Sequence, residues 1–143
     1  MSQPKLSDFS HAQRDRLAFI ELRLWFVGEF QSQDLVSRFG IQSAAATRDM
    51  TFYKELAPAN IDYDTRSKRY VLAPSFVPVF DYPAARVLTW LTQGFGDGEP
   101  APLRSWVACE TPSGITQPSL VTLAAVTRAI HHKAALRIAY YSV

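Results

Sequence analysis

The chain has 143 residues, 48% of them hydrophobic, enough for one proper core or two small ones, and its composition does not read as disordered. The formal charge is only +2, with ten basic and nine acidic residues up to Leu72 and five against four beyond it, so any electrostatic footprint must be local. A single cysteine, Cys109, excludes an intramolecular disulfide and a multi-cysteine zinc site; the lack of a signal-peptide core or of about 18 successive apolar residues points to a cytoplasmic protein without a membrane span.

From Ser10 to Val27, Leu17, Ile20, Leu24 and Val27 form a helical stripe, and Phe19, Leu22, Trp25 and Phe26 widen it beyond one face. Such a helix must be covered on more than one side, and Gly28 ends it. A second, short helix is expected with Ser32 as its N-cap and Asp34 in its first turn, burying Leu35, Val36 and Phe39 before Gly40. Ile41 and Gln42 make a connection. Ser43 then caps a third helix whose inward stripe is Ala46, Met50, Tyr53 and Ala57, closed by Pro58.

Two short helices joined through a glycine turn are the signature of a helix-turn-helix. The next residues alternate, with Ile61 and Tyr63, then Tyr70 and Leu72, flanking the polar turn Asp64 to Lys68, which predicts a hairpin. Three helices and a hairpin describe a winged helix with the hairpin as its wing. APSFVPVFDYP, rich in proline and aromatics, is expected to lie extended against a surface. A fourth helix should start at Pro83, carry Val87, Leu88 and Leu91, and end at Gly94; GFGDGEPAP reads as a loop and Trp106 to Cys109 as a short strand. Ser119 caps a fifth helix with Leu120, Leu123, Val126, Thr127 and Ile130, and LRIAYYSV closes the chain as a strand with Leu136, Ile138 and Tyr140 on one face. That strand would be an unpaired edge, so the natural chain is expected to continue beyond it.

On the third helix, Ala44, Arg48, Thr51 and Glu55 lie opposite Ala46 and Met50, with Thr47 and Lys54 beside them. A helix entering a DNA major groove, about 12 Å wide, needs small residues at its leading end, and the alanines provide them. Arginine can hold guanine O6 and N7 with two hydrogen bonds, and threonine can donate to a base or touch a thymine methyl. Ser43 and the first-turn N–H groups suit a phosphate. Gln42 belongs to the same leading end. On the wing, Arg66, Lys68 and Arg69 are placed to reach phosphates or a minor groove.

The same residues have plainer readings. Alanines favour any helix, Arg48 could pair with Asp49, Glu55 or solvent, and hairpin tips are polar wherever they occur. Catalysis has little support, because no histidine is patterned near Cys109 and Glu110, and lone buried cysteines are common. His131 and His132 are adjacent, hence on different sides of a helix, and make a poor metal pair. GFGDG is not a phosphate-binding loop. No catalytic residue, metal or cofactor is expected.

The order RLAFIELRLWFVGEF, DLVSRFGI, ATRDMTFYKELAPANIDYD, KRYV and FVPVF resembles the amino-terminal winged-helix domain of WYL-domain transcriptional regulators, in the repressor branch associated with phage-defence islands of the BREX and CBASS kinds. Leu17 to Phe80 carries most of the match, and SLVTLAAVTRAIHHKAALRIAYYSV is similar to the helix and first strand that open a WYL domain. The resemblance implies an α+β, mainly helical chain: a winged helix-turn-helix over residues 1–73, a linker region with one helix over 74–118, and the start of a truncated WYL domain over 119–143. It implies a homodimeric repressor that binds double-stranded DNA at an inverted-repeat operator. Ser43, Thr47, Arg48 and Thr51 match recognition-helix positions, and Arg66, Lys68 and Arg69 match the wing. An effector ligand is expected only for the WYL region that the chain lacks. The alternative from another class is a winged-helix protein-interaction module.

Overall fold

The computed structural model describes residues 4–82, Val87, Trp90 and 119–139. The chain divides into two compact units, Met1–Asp81 and Tyr82–Val143. In the first, a single 3-10 turn at Leu6–Asp8 precedes α1 (His11–Phe26), β1 (Glu29–Phe30), α2 (Ser32–Phe39), α3 (Ser43–Leu56), a second 3-10 turn at Pro58–Asn60, and the hairpin β2 (Ile61–Asp64) and β3 (Arg69–Leu72).

Helix α1 begins where Ser10 accepts the Gln13 N–H through its hydroxyl, while the Ser10 N–H donates to the Gln13 side chain, so two orphan groups of the first turn are satisfied together. Its all-round apolar pattern has the expected consequence. Leu17, Phe19, Ile20, Leu22, Leu24, Trp25 and Phe26 are all buried, each stabilising the fold by about 1.5–3 kcal/mol against an exposed reference. Phe19 meets Phe30 and Phe39 edge-on at 6.4 and 5.4 Å, which joins α1 to β1 and α2.

The strand β1 is an addition to the sequence reading, which ended the first helix at Gly28 and saw only a hairpin. Gly28 turns the chain at φ 92, a left-handed value that a side chain disfavours. The chain then pairs antiparallel with β3, Glu29 opposite Val71 and Phe30 opposite Tyr70, giving a three-stranded sheet ordered β1-β3-β2. Two residues carry too little alternation to be read as a strand.

Capping differs from expectation at two helices. The N-cap of α2 is Gln31, whose N–H donates to the Asp34 carboxylate at 2.9 Å, and Ser32 is already helical. The N-cap of α3 is Gln42, and no side chain caps that helix; Ser43 is its first residue. Of the residues expected inside on α2, Leu35 is buried and Val36 and Phe39 are half-buried. Between α2 and α3, Gly40 takes φ 66 and ψ 27, the left-handed value that ends one helix and aims the next.

The segment after β3 stays with this unit through Asp81. Phe76 packs on Trp25 at 5.5 Å, the Val77 N–H donates to Asn60 Oδ1, and the Val79 and Phe80 N–H groups donate to Glu21.

In the second unit, α4 (Leu120–His132) is capped by the Ser119 hydroxyl, which accepts the Thr122 N–H, and it buries Ala124 and Thr127. It ends at Lys133 with φ 53. The strand expected at the chain end is not seen in Leu136 to Ala139, which pair with nothing in the sheet; Leu136 and Ile138 are exposed. A strand needs a partner ladder as well as alternation, and among the described residues only the alternation is present. Of the helix expected from Pro83, Val87 and Trp90 are described, both helical and buried. The GFGDGEPAP loop, the Trp106 to Cys109 strand and the last four residues lie outside the described residues.

Candidate nucleic-acid interface

The expected inward stripe of α3 is realised: Ala46, Met50, Tyr53 and Ala57 are buried. Its outward residues Gln42, Ser43, Ala44, Thr47, Arg48, Thr51 and Lys54 are all exposed, so they form one continuous solvent face. Arg48 makes no hydrogen bond or ion pair among the described residues. Asp49, the neighbour with which it could have paired, is 2% exposed and turned inward, where both carboxylate oxygens accept from Arg16 of α1 at 2.6 and 3.4 Å. The forked guanidinium fixes two bonds at once, so this pair braces one flank of α3 against α1. Phe52 packs on Phe9 at 5.4 Å on the same flank.

Lys54 braces the other flank. Its ammonium donates to the Tyr70 hydroxyl at 3.1 Å and lies 4.5 Å from the ring centroid, a cation–π geometry joining the end of α3 to β3. Tyr70 in turn packs on Tyr63, its cross-strand partner, with centroids 5.0 Å apart. Lys54, Pro58, Ile61, Asp62, Tyr63 and Tyr70 line a depression between α3 and the wing. Sequence reading had Lys54 but missed the two tyrosines, although their facing register follows from the hairpin turn.

The two threonines are less free than expected. Thr47 donates its hydroxyl to the Ser43 carbonyl at 3.0 Å, and Thr51 donates to the Thr47 carbonyl at 3.1 Å. With its proton committed to the helix backbone, each can accept a hydrogen bond or offer its methyl, but it donates to a base only after rotating. At the leading end, an uncapped first turn leaves backbone N–H groups available to an anion beside exposed Gln42 and Ser43.

The wing separates its three basic residues. Arg66 and Lys68 are exposed in the turn, where Asp64 accepts the Arg66 N–H at 3.0 Å and the Ser67 hydroxyl at 3.0 Å. These bonds hold the Asp64 carboxyl below the usual carboxylate range, the Arg66 N–H first and the Ser67 hydroxyl next. Lys68 sits at φ 57, a left-handed position where glycine or asparagine would be cheaper. Arg69 is elsewhere: it forms an ion pair with Glu29 at 2.5 Å across the β1–β3 pairing.

Behind the exposed face lies a buried polar cluster. Glu21 of α1 is fully buried. The Tyr53 hydroxyl donates to Glu21 Oε2 at 2.8 Å, and Asn60 Nδ2 donates to the Tyr53 oxygen at 3.2 Å. Burial first, and the Glu21 charge second, push the Tyr53 phenol far above its ordinary range, so it serves as a fixed donor. An acid inside an all-round apolar helix was the available signal for this cluster, because such a helix buries its polar residues too.

Helix, glycine turn, uncapped exposed helix and three-stranded wing together define a winged helix-turn-helix protein. Residues 12–93 match the BrxR transcriptional regulator winged helix-turn-helix domain, and the chain belongs to that family. It is 34% identical over 137 residues to the DNA-binding transcriptional repressor CapW of Stenotrophomonas maltophilia, a match covering 92% of this chain and 46% of that protein. Over 68 residues it is 41% identical to CapW of Pseudomonas aeruginosa and 38% identical to CapW of Escherichia coli, covering 48% of this chain and 23% of each of those proteins. The chain thus spans less than half the length of these relatives. Among the described residues no helix is long and apolar enough to cross a membrane.

Proposed function

We propose that the chain binds double-stranded DNA sequence-specifically, as the amino-terminal part of a homodimeric cytoplasmic transcriptional repressor of a phage-defence locus. The observation that carries this reading is the outward face of α3. Asp49, the one acid adjacent to Arg48 in sequence, is drawn inward by Arg16, and Arg48 is left exposed among alanines and threonines. In a major groove Arg48 would hold a guanine through two N–H groups, with Thr47 and Thr51 accepting from bases or touching thymine methyls. Gln42, Ser43 and the uncapped first turn would take one phosphate, and Lys54 another. Arg66 and Lys68 would reach the backbone beyond, while Arg69 anchors the wing through Glu29. The repressor names of the relatives support this reading, and the effector site and most dimer contacts would belong to a region matching the rest of those longer relatives.

One observation favours a second reading, a protein-interaction module: Glu55, an acid, is exposed on the same face. Selection of duplexes from a random pool by the chain separates the two. The DNA reading expects an enriched inverted repeat with half-sites about 10 base pairs or a multiple apart, and binding that weakens steeply with salt. No enrichment, together with salt-insensitive self-association through α3, would establish the interaction module instead.

A further inference from the structure

The buried cluster also fixes the chain that leaves the first unit. Glu21 Oε1 accepts the Val79 N–H at 2.9 Å and the Phe80 N–H at 3.0 Å, while its Oε2 accepts the Tyr53 hydroxyl at 2.8 Å. Asn60, immediately before the wing, closes the network from the other side. Its Oδ1 accepts the Val77 N–H at 2.9 Å, and its Nδ2 donates to the Val77 carbonyl at 2.8 Å and to the Tyr53 oxygen. The Ser75 hydroxyl donates to the Ala59 carbonyl at 2.5 Å. One carboxylate and one carboxamide therefore join α1, the inner stripe of α3, the root of the wing and the strap 74–81.

A core needs no such arrangement for its own sake. A buried carboxylate is costly unless every lone pair is used, and an apolar residue of similar volume would pack α1 against α3 at least as well. What the polar version adds is direction: the strap amides and the recognition-helix hydroxyl must converge on the same two oxygens for the charge to be satisfied. Displacing the strap takes two donors from the carboxylate that also holds Tyr53, on the helix that carries Arg48.

We propose that Glu21 and Asn60 are positioning residues that make strap 74–81 part of the DNA-reading unit, so that the position of the strap and the affinity of α3 for its duplex are thermodynamically linked. The proposal rests on the DNA-binding reading above. Linkage is reciprocal, so a strap that influences DNA binding must itself be held more firmly when DNA is bound. Tyr53 lies about 140° around α3 from Arg48, on the side away from the proposed groove, so the network would link the Val79 and Phe80 amides to bound DNA without their touching it.

The test is amide hydrogen exchange of the chain with and without a duplex recovered by the chain from a random pool. Bound duplex is expected to slow exchange at Val79 and Phe80 by about fivefold or more. In Glu21→Gln that slowing disappears at both amides, and independently in Val79→Pro, which removes one strap donor and leaves no amide at 79 to exchange, it disappears at Phe80. Affinity for the recovered duplex falls, whereas affinity for a scrambled duplex does not. Specific binding with strap exchange unchanged by DNA overturns the linkage and leaves the DNA reading intact. Failure to recover any duplex overturns both.

Discussion

Helix α3 and the tip of the wing each present exposed cations to solvent, yet they are held in opposite ways. The helix is fixed on three sides: by its buried stripe, by Arg16–Asp49 on one flank and by Lys54–Tyr70 on the other. The tip, Thr65 to Lys68, is exposed throughout and organised locally by Asp64. The difference matches two kinds of contact. Hydrogen bonds to base edges discriminate only when the donor is placed to within a fraction of an ångström, whereas attraction to phosphate tolerates a looser cation.

Removing the support of the helix should have the largest effect. Met50→Ala is expected to cost about 2–5 kcal/mol of stability by urea titration, the range for large-to-small changes in a packed core. A cost below about 0.5 kcal/mol would mean that the inner stripe does not hold the helix. Asp49→Ala should come next. It strands Arg16, and because that side chain keeps 19% of its exposure, the loss should be about 1–2 kcal/mol rather than the 3–5 of a fully buried pair. Combining it with Arg16→Ala should cost less than the sum of the two, since the charge left behind is then gone.

The wing should respond differently. Lys68→Ala is expected to leave stability nearly unchanged, weaken all duplexes alike, and reduce the slope of log affinity against log salt by about 0.9. The smallest effect belongs to Asp64. Its folded carboxyl titrates below the unfolded value, so its support of the turn is present above about pH 4 and is lost as pH falls through the depressed folded pKa. Exchange of the Arg66 amide should quicken over that window while α3 remains protected. Simultaneous loosening of α3 would show that tip and helix are one unit, and the contrast would fail.

Much of this was legible in the sequence because it depends on periodicity and punctuation. The stripe Ala46, Met50, Tyr53, Ala57 faces inward by spacing alone, Gly40 turns the chain by its backbone freedom, and the hairpin register follows from a polar turn between alternating runs. What stayed hidden depends on partners distant in sequence. Arg16 and Asp49 are 33 positions apart and Glu21 and Val79 are 58 apart, so neither pair leaves a local pattern. Arg69 looked like a third wing cation because its partner, Glu29, sits on a strand too short to read. The caps of α2 and α3 were each placed one residue late, since serine is the better cap by preference while glutamine occupies the cap position here.

In the proposed complex Arg48 reads a base from a helix held rigid behind it. Whether it does so is decided by comparing Arg48→Ala with the unaltered chain on a selected duplex and on a scrambled one, over a series of salt concentrations. The expected outcome is a loss of about 1–3 kcal/mol on the selected duplex, relaxed preference at one base pair per half-site, and little change on the scrambled one. Equal losses on both duplexes would contradict it, because Arg48 would then be no more than another cation near the phosphates.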